Sequence, residues 1–284
     1  MNFELRTPSQ NILRHLGLTM LLSTSLVAEL KINKNVSYGP HERNVMDVYW
    51  NKNYNGAPIV FTIHGGGFKN GDKAYCNRDM IKLYMGKGCI VVSPNYRLVG
   101  KGEPVTKDDC AIDSAMAVAH IQANAKKYGG DPTRIVVTGA SAGGYISAWI
   151  AYQKNWKWPS YAKYKPDKLN IVGWFGNSPY LPPSLIGQVT LNDPPGFVMY
   201  GGKREHPATP ASQGHDIQRA LKKSKVWSKM VFIDYMGHVP AKRILFSPQS
   251  RDKETHRAYI QFLEMVCYEK GEPQGGDVIQ VKAR

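Results

Sequence analysis

Apolar positions along the chain follow two rhythms in alternation. Short apolar runs rich in β-branched residues recur at APIVFTIHGGGF (57–68), GCIVVSPNYRL (88–98), RIVVTGAS (134–141), LNIVGWFGNSP (169–179), GFVMYGG (196–202) and KMVFIDYMGH (229–238). Each is closed by Gly, Pro, Asn or Ser, which is the pattern of a buried strand ending in a turn. VMDVYW (45–50) alternates apolar and polar positions and predicts an edge strand. Between these runs lie longer stretches with helical spacing and no breakers, at 108–128, 145–152, 211–224 and 253–268. Strands alternating with helices predict an α/β fold, a mostly parallel, doubly wound sheet with helices on both faces.

Residues 180–195 are Pro-rich and of loop size, enough for a minimal lid and too short for a domain. With no repeat, low-complexity tract or linker, the reading is one catalytic domain over 29–270 followed by a polar C-terminal tail, 271–284. The first 28 residues carry Arg6 and Arg14, an apolar stretch at 16–28 and small residues before Glu29. That leader reads as a signal peptide, with a secreted or periplasmic location, or as an N-terminal apolar helix packed on a cytoplasmic domain. It is too short and too rich in Ser and Thr for a membrane span, and no other segment reaches spanning length, so the mature chain is expected to carry none.

A chain of 284 residues, 42% hydrophobic and 21% charged, can bury a sizeable core. Its formal charge of +15 attracts polyanions, but no Lys/Arg run with interleaved aromatics is present, so nucleic acid is not an expected partner. The four cysteines, Cys76, Cys89, Cys110 and Cys267, lack metal-ligand spacing, and no metal site is expected. Cys89 reads as a buried free thiol; Cys76 and Cys110 have the option of pairing in an oxidising compartment.

The chemistry gathers where strand-like runs end. Gly139-Ala140-Ser141-Ala142-Gly143 is a G-x-S-x-G pentapeptide with a strand before it and a helix after it. In that context a strained turn lifts the serine hydroxyl above the sheet. Upstream, His64-Gly65-Gly66-Gly67 closes another strand, and its backbone amides can converge on one oxygen, making Gly66 and Gly67, with Ala142, candidate oxyanion donors. His64 reads as a brace for this loop.

A serine nucleophile needs a histidine base and an acid to orient it, here in the order Ser, acid, His. Of His206, His215, His238 and His256, His238 lies in a loop after an apolar strand at the expected distance from the C-terminus. His215 and His256 fall in helical or polar surface patterns. The first carboxylate after GFVMYGG is Glu205, with Asp216 as the alternative; Asp193 precedes that strand and Asp234 lies in the next.

In combination, HGGGF with GDK, SPNYRL, DSAMAVAHIQANAKKYGGDPTRI, GASAGG and GHVP resemble the α/β-hydrolase superfamily, within it the hormone-sensitive-lipase-like and the feruloyl/acetylxylan esterases. The resemblance implies Ser141 as nucleophile, His238 as base, Gly66, Gly67 and Ala142 as oxyanion donors, a carboxylate after the penultimate strand, and a structural role for Asp113. It implies a carboxylesterase of short-chain, aryl or sugar esters, whether small molecules or polysaccharide-linked, that needs no cofactor. The chain departs from the pattern in its Gly-x-x-Glu turn (Gly202 to Glu205), where Gly-x-x-Asp is usual. With Pro207 and Gln213, that turn is similar to kynurenine formamidases, leaving arylformamidase as a second reading. A third is a silent hydrolase-fold protein that binds an acidic partner. The short 180–195 connection predicts a shallow, open acyl pocket, with Trp174, Phe175 and Tyr180 either lining it or packed in the core. Oligomeric state is not legible.

Overall fold

The computed structural model describes residues 30–272 and 277–283; the leader at 1–28 lies outside them. Nine described strands form one sheet: β1 (Leu30–Ser37), β2 (Val45–Asn51), β3 (Ala57–Ile63), β4 (Ile90–Pro94), β5 (Gly130–Ala140), β6 (Ile171–Asn177), β7 (Gly196–Gly201), β8 (Ser228–Ile233) and β9 (Val278–Val281). Their order is β1-β2-β4-β3-β5-β6-β7-β8-β9, antiparallel at the β1-β2-β4 end and parallel from β4 onward.

Helices cover both faces: α1 (Arg78–Gly86), α2 (Lys107–Asn124), α3 (Ala142–Tyr152), the single turn α4 (Pro183–Ile186), α5 (Ser212–Lys223) and α6 (Lys253–Tyr268). Period-two alternation sorts the strand residues between them. Ile135 and Val137 of β5 pack with α2 and α3 in one apolar cluster, while Val136 packs with α1 and α6 in the other. Strands buried on both faces read as continuous apolar runs, which is why β3 to β8 are visible in the sequence.

Three strands and one helix, α1, differ from the sequence reading. β2 is not an edge strand, because β1 pairs along its outer side. β1 carries Lys31, Asn33 and Lys34 and is mostly exposed, so backbone pairing holds it and leaves no apolar signature. At the other end, Val278–Val281 of the polar tail adds β9 beside β8, burying only Ile279 and Val281. α1 starts at Asn77, whose side chain caps the amides of Asp79 and Met80.

The helix read at 108–128 runs Lys107–Asn124 and tightens into a 3₁₀ turn, Ala125–Tyr128, before Gly129. A side chain at Gly129, which has φ 71°, would put Cβ 2.1 Å from the Tyr54 carbonyl, so the turn stops there. Asp113 on α2 is fully buried and grips Arg97 through Nε and Nη2, both at 2.9 Å. It is the structural residue expected of it. All four cysteines are buried and free, Cys76 and Cys110 included.

Candidate active site

The carboxyl ends of the parallel strands open on one cavity of about 910 Å³, the place where open α/β sheets take ligands. Ser141 sits on its wall between β5 and α3. Its backbone is strained, φ 54° and ψ −116°, a conformation that persists only where the surroundings over-determine it. Here they do. A Cβ at Gly139 would lie 2.0 Å from the Gly143 carbonyl, and one at Gly143 would lie 2.2 Å from the Ile63 carbonyl. The Ser141 amide donates to the Asn177 carbonyl at 3.0 Å, tying the elbow to the end of β6. Among the described residues Ser141 Oγ has no hydrogen-bond partner; it faces the cavity.

Opposite runs the loop after β3. Gly66, Gly67 and Phe68 all have positive φ (109°, 62° and 64°), a backbone course that glycine adopts readily and that bends the loop sharply beside the elbow. Lys69 and Asn70 both donate to the Gly66 carbonyl, at 3.1 and 3.0 Å, which holds the turn. No protein acceptor among the described residues takes the amides of Gly66 and Gly67. Gly65 lies against the elbow, since a Cβ there would be 2.7 Å from the Ala140 carbonyl and 3.3 Å from Ser141 Cβ. Ala142 is the first residue of α3, so its amide has no intrahelical partner. These three donors and the serine share the cavity wall.

His64 is 1% exposed, stacks on Tyr96 at 4.2 Å and hydrogen-bonds the Gly65 carbonyl through Nδ1 at 2.8 Å. Burial pushes its pKa down to about 4. A neutral ring locked this way braces the loop.

His238 enters from the loop after β8, whose position is set by neighbouring strand ends. Val239, at φ 56°, donates to Ser178 Oγ at 3.1 Å, and Ala241 donates to Asn177 Oδ1 at 3.3 Å. Its Nδ1 meets Thr209 Oγ1 at 3.2 Å, and its ring stacks on His206 with centroids 4.6 Å apart. Burial first, then the neighbouring His206, lowers its pKa to about 4. Thr209, His206 and His238 line the same cavity as Ser141.

Glu205 is the sequence expectation that the geometry does not meet. Its carboxylate accepts from the Ala211 amide at the start of α5, and no carboxylate lies within ion-pair distance of His238 among the described residues. The reason is local: in the loop that holds Pro207 and Pro210, Thr209, 4% exposed, reaches the imidazole, while exposed Glu205 is bonded to the Ala211 amide ahead of the next helix. Asp216 is no substitute, being paired with Arg219 on α5. His215 is exposed on α5, and His256 bonds the Leu245 carbonyl, both away from the cavity. The sequence pattern places His206 among the possible bases and does not single out Thr209; adjacency to Glu205 in the acid loop is the available signal for both.

Tyr180 and Phe68 form part of the cavity wall, with Lys107 at its rim. Trp174 and Phe175 are instead core residues, Trp174 donating to Ser147 Oγ at 3.0 Å and Phe175 packing on Tyr259. No cluster of potential metal ligands occurs among the described residues. The arrangement offers a nucleophile, a neutral imidazole and unengaged amides around one space, which suits attack on an ester carbonyl.

Residues 46–181 match the BD-FAE family model. LipM of Mycobacterium tuberculosis, a probable carboxylic ester hydrolase, is 34% identical over 124 residues, 42% of this chain and 28% of its own length. Isoprenylcysteine alpha-carbonyl methylesterase of Arabidopsis thaliana is 31% identical over 119 residues, 42% of this chain and 27% of its own. The chain thus spans less than a third of the length of these curated relatives.

A truncated carbohydrate esterase from gut microbiota superposes with a TM-score of 0.68 at 16% identity, covering 82% of this chain and 96% of that one. Thermogutta terrifontis esterase 2 phosphorylated by paraoxon gives 0.64 at 19% identity, covering 84% and 91%. With the sheet order in place, the structural matches show that the chain has the fold of these esterases, a mostly parallel sheet covered by helices, and residues 46–181 are similar to the BD-FAE family.

Proposed function

We propose that the protein is a serine-dependent carboxylic ester hydrolase acting on short-chain, aryl or sugar esters through an acyl-enzyme intermediate. Ser141 Oγ attacks the ester carbonyl while His238 Nε2 accepts its proton; the same imidazole then protonates the departing alcohol. Water, activated in turn by His238, releases the acid. The negative oxygen of each tetrahedral intermediate faces the amides of Gly66, Gly67 and Ala142, donors already oriented and so costing no reorganisation. Thr209 Oγ1 accepts Nδ1–H of His238, which fixes the tautomer that leaves Nε2 free to act as base.

The observation that carries this reading is the strained Ser141 backbone sharing one cavity with His238 and the unengaged glycine amides. The names of the similar proteins support the same reaction class. Hydrolysis of 4-nitrophenyl acetate by the wild type, lost in Ser141→Ala, is the expected result. Equal hydrolysis by both proteins would refute it, and N-formylkynurenine turnover above that of acetate esters would redirect the reading to an amidase.

A further inference from the structure

Lys107 occupies a position that helix stability does not explain. It is the first residue of α2, where the helix dipole disfavours a cation. Thr106 and Asp109 already cap that end reciprocally, each side chain accepting from the other's amide, so the Lys107 side chain takes no part in the cap. The Lys107 ammonium instead lies over two cavity rings, 5.5 Å from the centroid of Phe68 and 5.2 Å from that of Tyr180.

Phe68 is itself held at φ 64°, an uncommon conformation for a bulky side chain, with its carbonyl tied to the Val99 amide at 2.9 Å. The nearby carboxylates are committed elsewhere. Asp108 accepts from Tyr145 at 3.4 Å, Asp109 faces Arg97 at 3.6 Å, and Asp72, the acid on the cavity wall, bonds Asn95 and the Ala74 amide. Among the described residues Lys107 has no ion-pair partner. A cation lacking an anionic partner, backed by two aromatic faces at the rim of the catalytic cavity, is arranged for an anion that arrives with the substrate.

We propose that Lys107 forms a carboxylate-recognising subsite, so that the preferred esters carry a carboxylate a few bonds from the scissile carbonyl. The inference rests on the esterase reading of the same cavity. The carboxylate can belong to the acyl arm, as in a dicarboxylic acid hemi-ester, or to the alcohol arm, as in an ester of a carboxylated phenol or uronic acid.

The test uses two matched pairs at low ionic strength. The acyl-arm pair is 4-nitrophenyl hemiadipate against 4-nitrophenyl hexanoate; the alcohol-arm pair is 4-carboxyphenyl acetate against phenyl acetate. For each pair the ratio of kcat/KM, anionic over neutral, is measured in the wild type, Lys107→Gln and Lys107→Arg. In at least one arm the ratio is expected to fall about fivefold in Lys107→Gln, to be kept in Lys107→Arg, and to shrink in the wild type at about 0.5 M salt as the attraction is screened. The arm that responds identifies the side of the ester bearing the charge.

A ratio unchanged by Lys107→Gln in both arms, with Ser141-dependent hydrolysis intact, overturns the subsite and leaves the esterase reading standing. Should no ester be turned over, the esterase reading fails, and calorimetric binding of adipate and 4-hydroxybenzoate decides the subsite separately. Binding lost in Lys107→Gln supports it; absence of binding, or binding indifferent to that change, overturns it.

Discussion

Replacing Thr209 by Val probes what orients the proposed base. Valine keeps the shape of a side chain that is 4% exposed and removes only the hydroxyl 3.2 Å from His238 Nδ1. Losing a neutral hydrogen bond costs about 0.5–1.5 kcal/mol, and leaving the half-buried Nδ1 without a partner raises this toward about 3 kcal/mol. With about 1.4 kcal/mol per factor of ten, 1–3 kcal/mol corresponds to a loss of roughly 5- to 150-fold in kcat/KM. Because the hydroxyl acts through the imidazole, the loss is expected in kcat more than in KM, with Thr209→Ser recovering most of it. Glu205→Gln, which changes a carboxylate bonded to the Ala211 amide, is expected to cost much less. Steady-state hydrolysis of 4-nitrophenyl acetate by the three variants is the assay. A Thr209→Val enzyme within twofold of wild type, beside a Glu205→Gln enzyme down by about three orders of magnitude, a loss of the size expected for a triad acid, would refute the reasoning and make Glu205 the orienting acid.

The pH profile follows from the same group. His238, lowered to about 4 by burial and by His206, must be neutral to accept a proton, so activity is present above that value and lost as pH falls through it. The acid limb of kcat/KM should therefore lie near pH 4; a limb near 6.5, the ordinary histidine value, would contradict it. Gly143→Ala forces a Cβ to 2.2 Å from the Ile63 carbonyl and should both lower the melting temperature and abolish hydrolysis; a stable, active variant would disprove the packing argument for the elbow. Gly66→Ala, whose Cβ would meet the Asn70 carbonyl at 2.2 Å, should displace the amide loop and cost about 10²–10³ in kcat. Gly67→Ala opens into free space and carries only the strain of φ 62°, so its loss should be smaller, and the reverse ranking would count against the loop geometry.

The strongest sequence signals came from residues whose surroundings permit little choice. β3 to β8 are buried on both faces and need continuous apolar runs, and Gly139 and Gly143 are fixed by backbone contacts that exclude any side chain. Ser141, His238 and the triple-glycine loop were legible because chain order and turn chemistry tie them to strand ends. β1 and β9 escaped notice because an edge strand held by backbone pairing can stay polar on its open side. The partner of His238 was obscured for another reason. Which side chain of residues 205–209 reaches the imidazole depends on how the loop turns, and adjacency in sequence favoured the carboxylate over the threonine that makes the contact.

The proposed reaction requires Ser141 Oγ to be the activated nucleophile of the cavity. Incubation with paraoxon, followed by intact-protein and peptide mass spectrometry, tests this directly. One diethylphosphoryl group per chain on Ser141, formed in step with loss of esterase activity and absent in Ser141→Ala, is the predicted result. Labelling at another residue, or full ester hydrolysis by protein unlabelled at Ser141, would contradict it.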